Sequence, residues 1–389
     1  MKVLHWYPNF LGGGGVANAV LGLAKAQAGL GAEVAIASAA AEGKPLYQAM
    51  DEKIENIRLF CWRPAFTLRA GGLRYRKIPR EGMEQIRAFK PDVLHIHGEF
   101  NPDNLQVPRL FDSPLVLSPH GAFHPVVLRK SKQNAKRLYI AASKRLLYRY
   151  VRAFHALSPA EADHIRSAIG TVLVYTIPQG ASPHVIVPPN NEEAPVCDAQ
   201  TIRLIFVGRL DIYTKGLDIL VEAFANAVRA TSERKLRLVL VGPDWRGNLS
   251  KLKQLAHQHG CVNGIMFTGA VTGRQVSELL AQCDIYIHLS RHEGFPLSLT
   301  EALLAGKPSI LSTEIGTVSY PEVQALPHVR VIPPEKNAAS RVILEFAERI
   351  DELRALAAGF REHIKAFFDW KRIAQAHLER YEELLGGGL

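Results

Sequence analysis

The 389-residue chain has only four cysteines, Cys61, Cys197, Cys261 and Cys283, widely spaced and without a C-x-x-C pair. That excludes a disulfide scaffold and a zinc knuckle, and fits a reducing cytosol. No apolar run reaches the roughly 18 residues of a membrane span. The start, Met1-Lys2-Val3-Leu4-His5-Trp6-Tyr7, shows no basic n-region, apolar h-region or small-residue cleavage site. The expectation is a soluble, unsecreted chain, at most associated with a membrane. A D-x-D pair is missing, which weakens any scheme built on a carboxylate-held divalent ion. Repeats of solenoid period and low-complexity tracts are missing too. Apolar content, by contrast, is 47%, ample for two cores at roughly 100–200 residues per domain. Charge is 47 − 37 = +10, so the partner is anionic: nucleic acid, a phosphorylated substrate or an acidic membrane surface.

Short β-rich apolar runs alternate with helical-period segments throughout, the rhythm of parallel βαβ units. Strands are predicted at Lys2–Tyr7, Glu33–Ser38, Ile57–Cys61, Asp92–Ile96, Leu115–Ser118, Ala153–Leu157 and Leu173–Ile177. Helices are predicted around Glu81–Phe89, Ala135–Arg152 and Pro159–Ala168. The prolines Pro178, Pro183, Pro188, Pro189 and Pro195 then interrupt both periods. The rhythm restarts at Arg203–Val207 and continues to Pro308–Leu311, whereas 341–385 read as helices without a strand. The expectation is therefore an α/β chain with a Rossmann-like domain at 1–182, a linker at 183–200 and a second Rossmann-like domain at 201–370. A terminal helix at Trp370–Leu385, apolar on more than one face, is expected to pack across both domains, its 371–389 portion returning to the first.

Gly12–Gly15 follow the first strand and open a helix, so bare backbone N–H groups can face an anion at the positive end of the helix dipole. A tight turn and a phosphate or sugar nest both remain open. A nicotinamide site is disfavoured, because the second strand ends Ala37-Ser38-Ala39-Ala40 without an acid for a ribose hydroxyl. In Phe206-Val207-Gly208-Arg209-Leu210-Asp211-Ile212-Tyr213-Thr214-Lys215-Gly216, a strand stops at a glycine and two cations follow six residues apart. A guanidinium fork and a mobile ammonium make a clamp for a diphosphate; solvated surface charge is the bland alternative. Arg291 to Glu301 places Glu293 and Glu301 eight residues apart after another strand. Ser298 and Glu301 also match an S-x-x-E capping box, which competes for the Glu301 side chain.

His120-Gly121 follows the strand Leu115–Ser118 and can be turn or catalytic. His95-x-His97 puts two imidazoles on one strand face, half of a metal site, but no third ligand is evident and structural or substrate-contacting histidines are favoured. Residues 129–152 hold Arg129, Lys130, Lys132, Lys136, Arg137, Lys144, Arg145, Arg149 and Arg152 and no acid, with Leu138, Ala142, Leu146 and Tyr150 at period four. Such a helix can lie on an anionic membrane or serve as a core helix with a basic outer face. Aromatics in it are limited to Tyr139, Tyr148 and Tyr150, which argues against nucleic acid.

Taken together, the chain resembles the retaining glycosyltransferases of family 4 (group 1), which have the two-domain GT-B architecture. The resemblance rests on Gly12–Gly15, Ser118-Pro119-His120-Gly121, Ile177-Pro178-Gln179-Gly180, Val207-Gly208-Arg209 with Lys215-Gly216, Val241-Gly242-Pro243, and Glu293-Gly294-Phe295-Pro296 through Glu301, the family's E-x7-E motif. Gln179 departs from the family's usual asparagine. The resemblance implies two Rossmann-like domains with parallel sheets facing across a cleft, an N-terminal acceptor-binding and a C-terminal donor-binding domain. It implies Arg209 and Lys215 on the donor diphosphate, Glu301 on the ribose, Glu293 on the donor sugar, and N–H groups near Leu297 and Ser298 on the distal phosphate. Val271 would sit by the base, His120 would reach the donor sugar from the other domain, and Gly14 would approach the phosphate or acceptor. The implied activity is transfer of a hexose from a nucleotide-diphosphate sugar to a saccharide or lipid-linked acceptor, without metal or cofactor, in the cytoplasm or on the inner face of the plasma membrane. The alternatives are a nucleotide-sugar 2-epimerase and a non-catalytic nucleotide-sugar-binding protein.

Overall fold

The computed structural model of the chain describes residues 1–40, 56–70, 73–129, 133–181 and 200–387. Residues 183–199 of the expected linker, with Cys197, and Lys130 and Lys132 of the basic segment lie outside the described residues. The chain divides into two compact units: Met1–Gly180 with Asp369–Leu389, and Ala181–Phe368.

The first unit contains β1 (Lys2–Trp6), β2 (Glu33–Ala39), β3 (Ile57–Trp62), β4 (Thr67–Ala70), β5 (Leu73–Arg76), β6 (Val93–His97), β7 (Leu115–Ser118), β8 (Val151–Ala156) and β9 (Val174–Thr176). Seven of these form one parallel sheet in the order β3-β2-β1-β6-β7-β8-β9. Both faces are buried, which is why the strands read as nearly unbroken apolar runs. Alternation sorts them: Leu4, Trp6, Leu94, Ile96, Leu117 and Phe154 fill one core, and Val3, Val93, Val116 and Ala153 the other. On the second face the rows continue into buried polar residues, His5, His95, His97, Ser118 and His155. That face is covered by the helix Gly15–Gly29 and by the C-terminal helix Trp370–Leu385, whose Ile373, Ala374 and Tyr381 join its core. The Trp370 indole lies against Gly22 and Gly180, and neither position has room for a Cβ.

The second unit contains β10 (Thr201–Val207), β11 (Lys235–Val241), β12 (Ile265–Gly269), β13 (Ile285–His288), β14 (Ser309–Ser312) and β15 (Val329–Ile332). They form a parallel sheet in the order β12-β11-β10-β13-β14-β15. In each sheet the strand order reverses once, between β1 and β6 and between β10 and β13. Such a switch point opens a crevice outside the carboxyl ends of the strands, where ligands of doubly wound sheets bind.

Two elements go beyond the sequence reading and one expectation is corrected. The hairpin β4–β5 is not anticipated by the sequence because all of β4 is exposed and Leu68 is 60% accessible, so no buried face marks it. Its return strand is fixed by a buried ion pair, Arg76 Nη2 to Asp103 Oδ2 at 2.6 Å, with the Arg76 backbone N–H on Oδ1 at 2.6 Å. The edge strand β15 is also unanticipated, its Val329-Arg330-Val331-Ile332 being too short to show a period. The basic helix spans Gln133–Leu146 and not Ala135–Arg152. A 3-10 turn at Tyr148–Tyr150 follows, and Val151 pairs with Leu115 in the sheet. Among the described residues no helix is long and apolar enough to cross a membrane.

Candidate functional site

In the second unit, β10 ends at Val207 and the chain turns through Gly208 and the exposed Arg209 into a short helix, Ile212–Lys215. Asp211 caps this helix by accepting the Thr214 N–H at 3.1 Å. The helix stops at Gly216, which is left-handed (φ 61°), and any Cβ there would collide with the Leu289 carbonyl of the neighbouring strand end. This stop fixes the direction of Lys215, which is buried and ion-paired with Glu293. Glu293 is held by its own backbone: its N–H donates to the Glu314 carbonyl at 3.0 Å and its carbonyl accepts from Gly316 N–H at 2.8 Å. Burial is the largest influence on the Glu293 carboxyl and would raise it, but the charge and hydrogen bond of Lys215, with smaller contributions from His288 and His292, together hold the group below the ordinary range.

Arg209 behaves differently from Lys215. Its guanidinium lies 4.4 Å over the Trp245 ring, and no carboxylate pairs with it among the described residues. Beneath the ion pair, Ser298 Oγ donates to the Val207 carbonyl at 2.9 Å and stands 2.9 Å from the Tyr286 hydroxyl, which is 2.7 Å from His288 Nδ1. His288 is pushed down to about 3 by burial and then by the Lys215 charge, so it is neutral. The capping-box reading of Ser298 and Glu301 is corrected here. The helix runs Leu297–Leu304 with Pro296 at its N-cap, so Ser298 is already helical and its hydroxyl is turned toward β10. Glu301 is therefore not a capping residue; it lies one turn into the helix, half-buried. Val271 is half-buried in the loop between β12 and the helix Gly273–Gln282. Two residues of this region were given no role from the sequence: Trp245, the platform for Arg209, and Arg291, whose bidentate pair with Asp218 (2.8 and 2.7 Å) ties the β13 loop to the helix Leu217–Ala230.

In the first unit, Gly14 is the N-cap of the helix Gly15–Gly29, with positive φ at Gly13 and Gly14. His120 follows β7 in the left-handed region (φ 55°), and Gly121 continues it (φ 79°). This unfavourable backbone is held by buried Glu161, whose carboxylate accepts from Gly121 N–H at 2.5 Å and Leu157 N–H at 2.7 Å. The sequence signal for Glu161 is the S-x-x-E pattern from Ser158, which does cap its helix. His120 Nε2 is 3.1 Å from His97 Nδ1, and His120 Nδ1 is 3.3 Å from Gln179 Nε2.

A third histidine does stand beside His95 and His97: the β1–β6 register places His5 opposite His95. The ligand atoms of these three buried side chains lie within 4.8 Å of one another. Each of their ring nitrogens is nevertheless already in a hydrogen bond. His5 bonds His97 (2.9 Å) and Gln27 (2.8 Å), and His95 bonds Tyr381 (2.6 Å) and Ser118 (2.6 Å), while His97 bonds His5 and His120. The arrangement is a satisfied polar layer, and a cation would have to break several of these bonds to enter.

Comparison with known proteins agrees with this architecture. The family model described as Glycosyltransferase Family 4 matches residues 13–184, and that described as Glycosyl transferases group 1 matches residues 189–356. The GDP-mannose:cellobiosyl-diphosphopolyprenol alpha-mannosyltransferase of Komagataeibacter xylinus is 26% identical over 100% of this chain and 95% of its own. The enzyme of the same name from Xanthomonas campestris is 25% identical over 76% of this chain and 75% of its own. Among solved structures, sucrose-phosphate synthase from Thermosynechococcus elongatus has a TM-score of 0.75 at 19% identity, covering 100% of both chains. Anabaena HepE in complex with UDP and glucose has a TM-score of 0.74 at 19% identity, covering 98% of this chain and 100% of its own. Two matched family models spanning most of the sequence, together with two parallel sheets of the GT-B fold, make this chain a glycosyltransferase of family 4, group 1.

Proposed function

We propose that the chain is a retaining hexosyltransferase that uses a nucleotide-diphosphate sugar, needs no metal, and acts on a saccharide carried by a lipid diphosphate. The observation that carries the donor half is the buried Lys215–Glu293 pair beside an exposed Arg209 with no carboxylate partner, all at the β10/β13 switch point. A diphosphate there would be gripped bidentately by Arg209 and by the point charge of Lys215. The N–H groups at Leu297 and Ser298 open a helix toward the distal phosphate. These groups stabilise the charge that grows on the leaving nucleotide, the task a metal performs elsewhere. Glu301 takes the ribose hydroxyls, Val271 borders the base, Glu293 and His120 contact the sugar, and Gly14 approaches the phosphate or acceptor; these roles come from the family resemblance. Retention would follow from attack on the face the phosphate leaves, with that phosphate taking the acceptor proton.

The acceptor half draws on the relatives named above, which act on a cellobiosyl-diphosphopolyprenol, and on the helix Gln133–Leu146. Of the apolar stripe read from the sequence, Leu138 (73%) and Leu146 (44%) on the helix and Tyr150 (44%) in the following 3-10 turn are exposed among Arg137, Lys144, Arg145 and Arg149, while Ala142 is half-buried. An exposed apolar stripe flanked by cations suits an anionic bilayer. A thermal-shift screen against UDP, GDP and ADP tests the donor site, since a ligand at 100 times its Kd stabilises by about 2.7 kcal/mol. Transfer to a diphosphopolyprenol-linked saccharide should then persist in excess EDTA. Response to none of the three nucleotides, or turnover of the donor without any acceptor, would overturn the reading.

A further inference from the structure

The polar layer of the first unit separates into two chains whose proton directions can be worked out. In one, His155 Nε2 faces the Ile177 carbonyl at 2.8 Å and must donate to it. His155 Nδ1 therefore accepts from Ser118 Oγ (2.6 Å), which in turn accepts from His95 Nε2 (2.6 Å), leaving His95 Nδ1 to accept from the Tyr381 hydroxyl. The other chain runs Gln179, His120, His97, His5, Gln27. Its ends are amides, and an amide nitrogen only donates while an amide oxygen only accepts. Gln179 Nε2 meets His120 Nδ1, and Gln27 Oε1 meets His5 Nε2. Gln27 Nε2 is buried without a hydrogen-bond partner, so the 2.8 Å bond between His5 Nε2 and Gln27 Oε1 is the one that anchors this end of the chain. One assignment satisfies every link: Gln179 donates to His120, His120 to His97, His97 to His5, and His5 to Gln27.

We propose that His97 and His5, with Gln179 and Gln27 at the two ends, are positioning residues that hold His120 in a single neutral form, proton on Nε2 and Nδ1 accepting from Gln179. The geometry leaves no slack. A second proton on any ring of this chain would set an N–H against an N–H, and reversing one ring requires reversing all three. Burial acts in the same direction, pushing His5 down to about 4 and His120 to about 3. His97 lies well below its ordinary value by burial and by the neighbouring imidazoles His5, His120, His155 and His377. The consequence for transfer rests on the reading of His120 as a sugar contact: with both ring nitrogens committed inside the unit, His120 meets a ligand as a rigid neutral ring and not as a proton donor.

The test is long-range proton–nitrogen NMR on the full chain labelled with 15N-histidine, assigned by single histidine replacements. In the unaltered protein His5, His95, His97, His120 and His155 should all show the Nε2–H form and none should titrate above pH 5. In Gln179→Glu the end group can only accept, so His120, His97 and His5 should switch together to Nδ1–H, or one of them should become charged, while His95 and His155 stay as they were. Gln179→Leu removes the outer end without imposing a direction, and Gln27 should keep all three in the Nε2–H form. Mixed tautomers in the unaltered protein, or no switch in Gln179→Glu, would overturn the proposal. So would a joint shift of His5, His95 and His97 on equimolar Zn²⁺, which would make the cluster a metal site. For transfer, Gln179→Glu should lose at least tenfold in kcat/KM; a switch seen by NMR with unchanged kcat/KM leaves the chain standing and removes His120 from the donor site instead.

Discussion

Acidification should unfold the first unit before it approaches the carboxylate range. His5 and His155 are held at about 4 and His120 at about 3, in each case first by burial, whereas the unfolded side chain titrates near 6.5. Because each folded value lies below the unfolded one, the unfolded chain binds more protons in between. Stability from this source is therefore fully present above pH 6.5 and drains as pH falls toward 4. At pH 5 each imidazole is about 1.5 pH units below its unfolded value, and at about 1.4 kcal/mol per unit the loss is about 2 kcal/mol each, or about 6 kcal/mol for the three. That is comparable with the whole stability of an ordinary domain, about 5–15 kcal/mol. His95, His97 and His377 shift in the same direction and add to it. The second unit holds only His288 and His328 with such values among the described residues. Urea unfolding followed by tryptophan fluorescence is suited to the comparison, since Trp6, Trp62 and Trp370 belong to the first unit and only Trp245 to the second. The midpoint of the main fluorescence change should fall steeply between pH 7 and pH 5. A midpoint that is constant or rises over that interval would refute the reasoning.

Arg209→Ala and Lys215→Ala each remove a charged hydrogen-bond donor worth roughly 1.5–3 kcal/mol, so donor kcat/KM should drop by about one to two decades in steady-state assays while the variants stay folded. Asp103→Ala strips the partner from buried Arg76 and should cost about 3–5 kcal/mol in a denaturant melt, against no more than about 1 kcal/mol for Glu84→Ala in the exposed Arg80–Glu84 pair. Replacing Arg137, Lys144 and Arg145 with Ser should weaken co-sedimentation with anionic vesicles, each cation being worth about 1 kcal/mol near the surface; equal sedimentation of both proteins with anionic and neutral vesicles would end the membrane assignment.

The parallel strands were legible because a strand buried on both faces must be apolar throughout, as in Val34–Ala39 and Leu238–Val241. The Arg209–Lys215 and Glu293 segments were legible as strand-end loops because each follows the carboxyl end of an apolar strand, Thr201–Val207 and Ile285–His288, the first of them closed by Gly208. What stayed hidden depended on pairing. That His5 completes a cluster with His95 and His97 follows from the β1–β6 register, and the intervening sequence carries no trace of it. Pattern matching also failed where one motif fits two helices: S-x-x-E caps at Ser158 but not at Ser298, because Pro296 begins the second helix earlier and Val207 draws the serine hydroxyl away.

The return of the C-terminal helix makes the first unit discontinuous, and synthesis must cope with that. The chain leaves this unit after Gly180 and rejoins it at Asp369, while the Tyr381–His95 bond joins residues 286 apart. At roughly 5–20 residues per second, the ribosome spends on the order of 10–40 s on Ala181–Phe368 before the closing helix is made. Through that interval the sheet's histidine face has only the helix Gly15–Gly29 for cover, and His95 lacks its phenol. The contiguous second unit is then the one equipped to fold first, although its sequence comes later. A fragment ending at Gly180 should bind hydrophobic dyes and succumb to protease, and adding a separate peptide spanning 369–387 should restore its resistance.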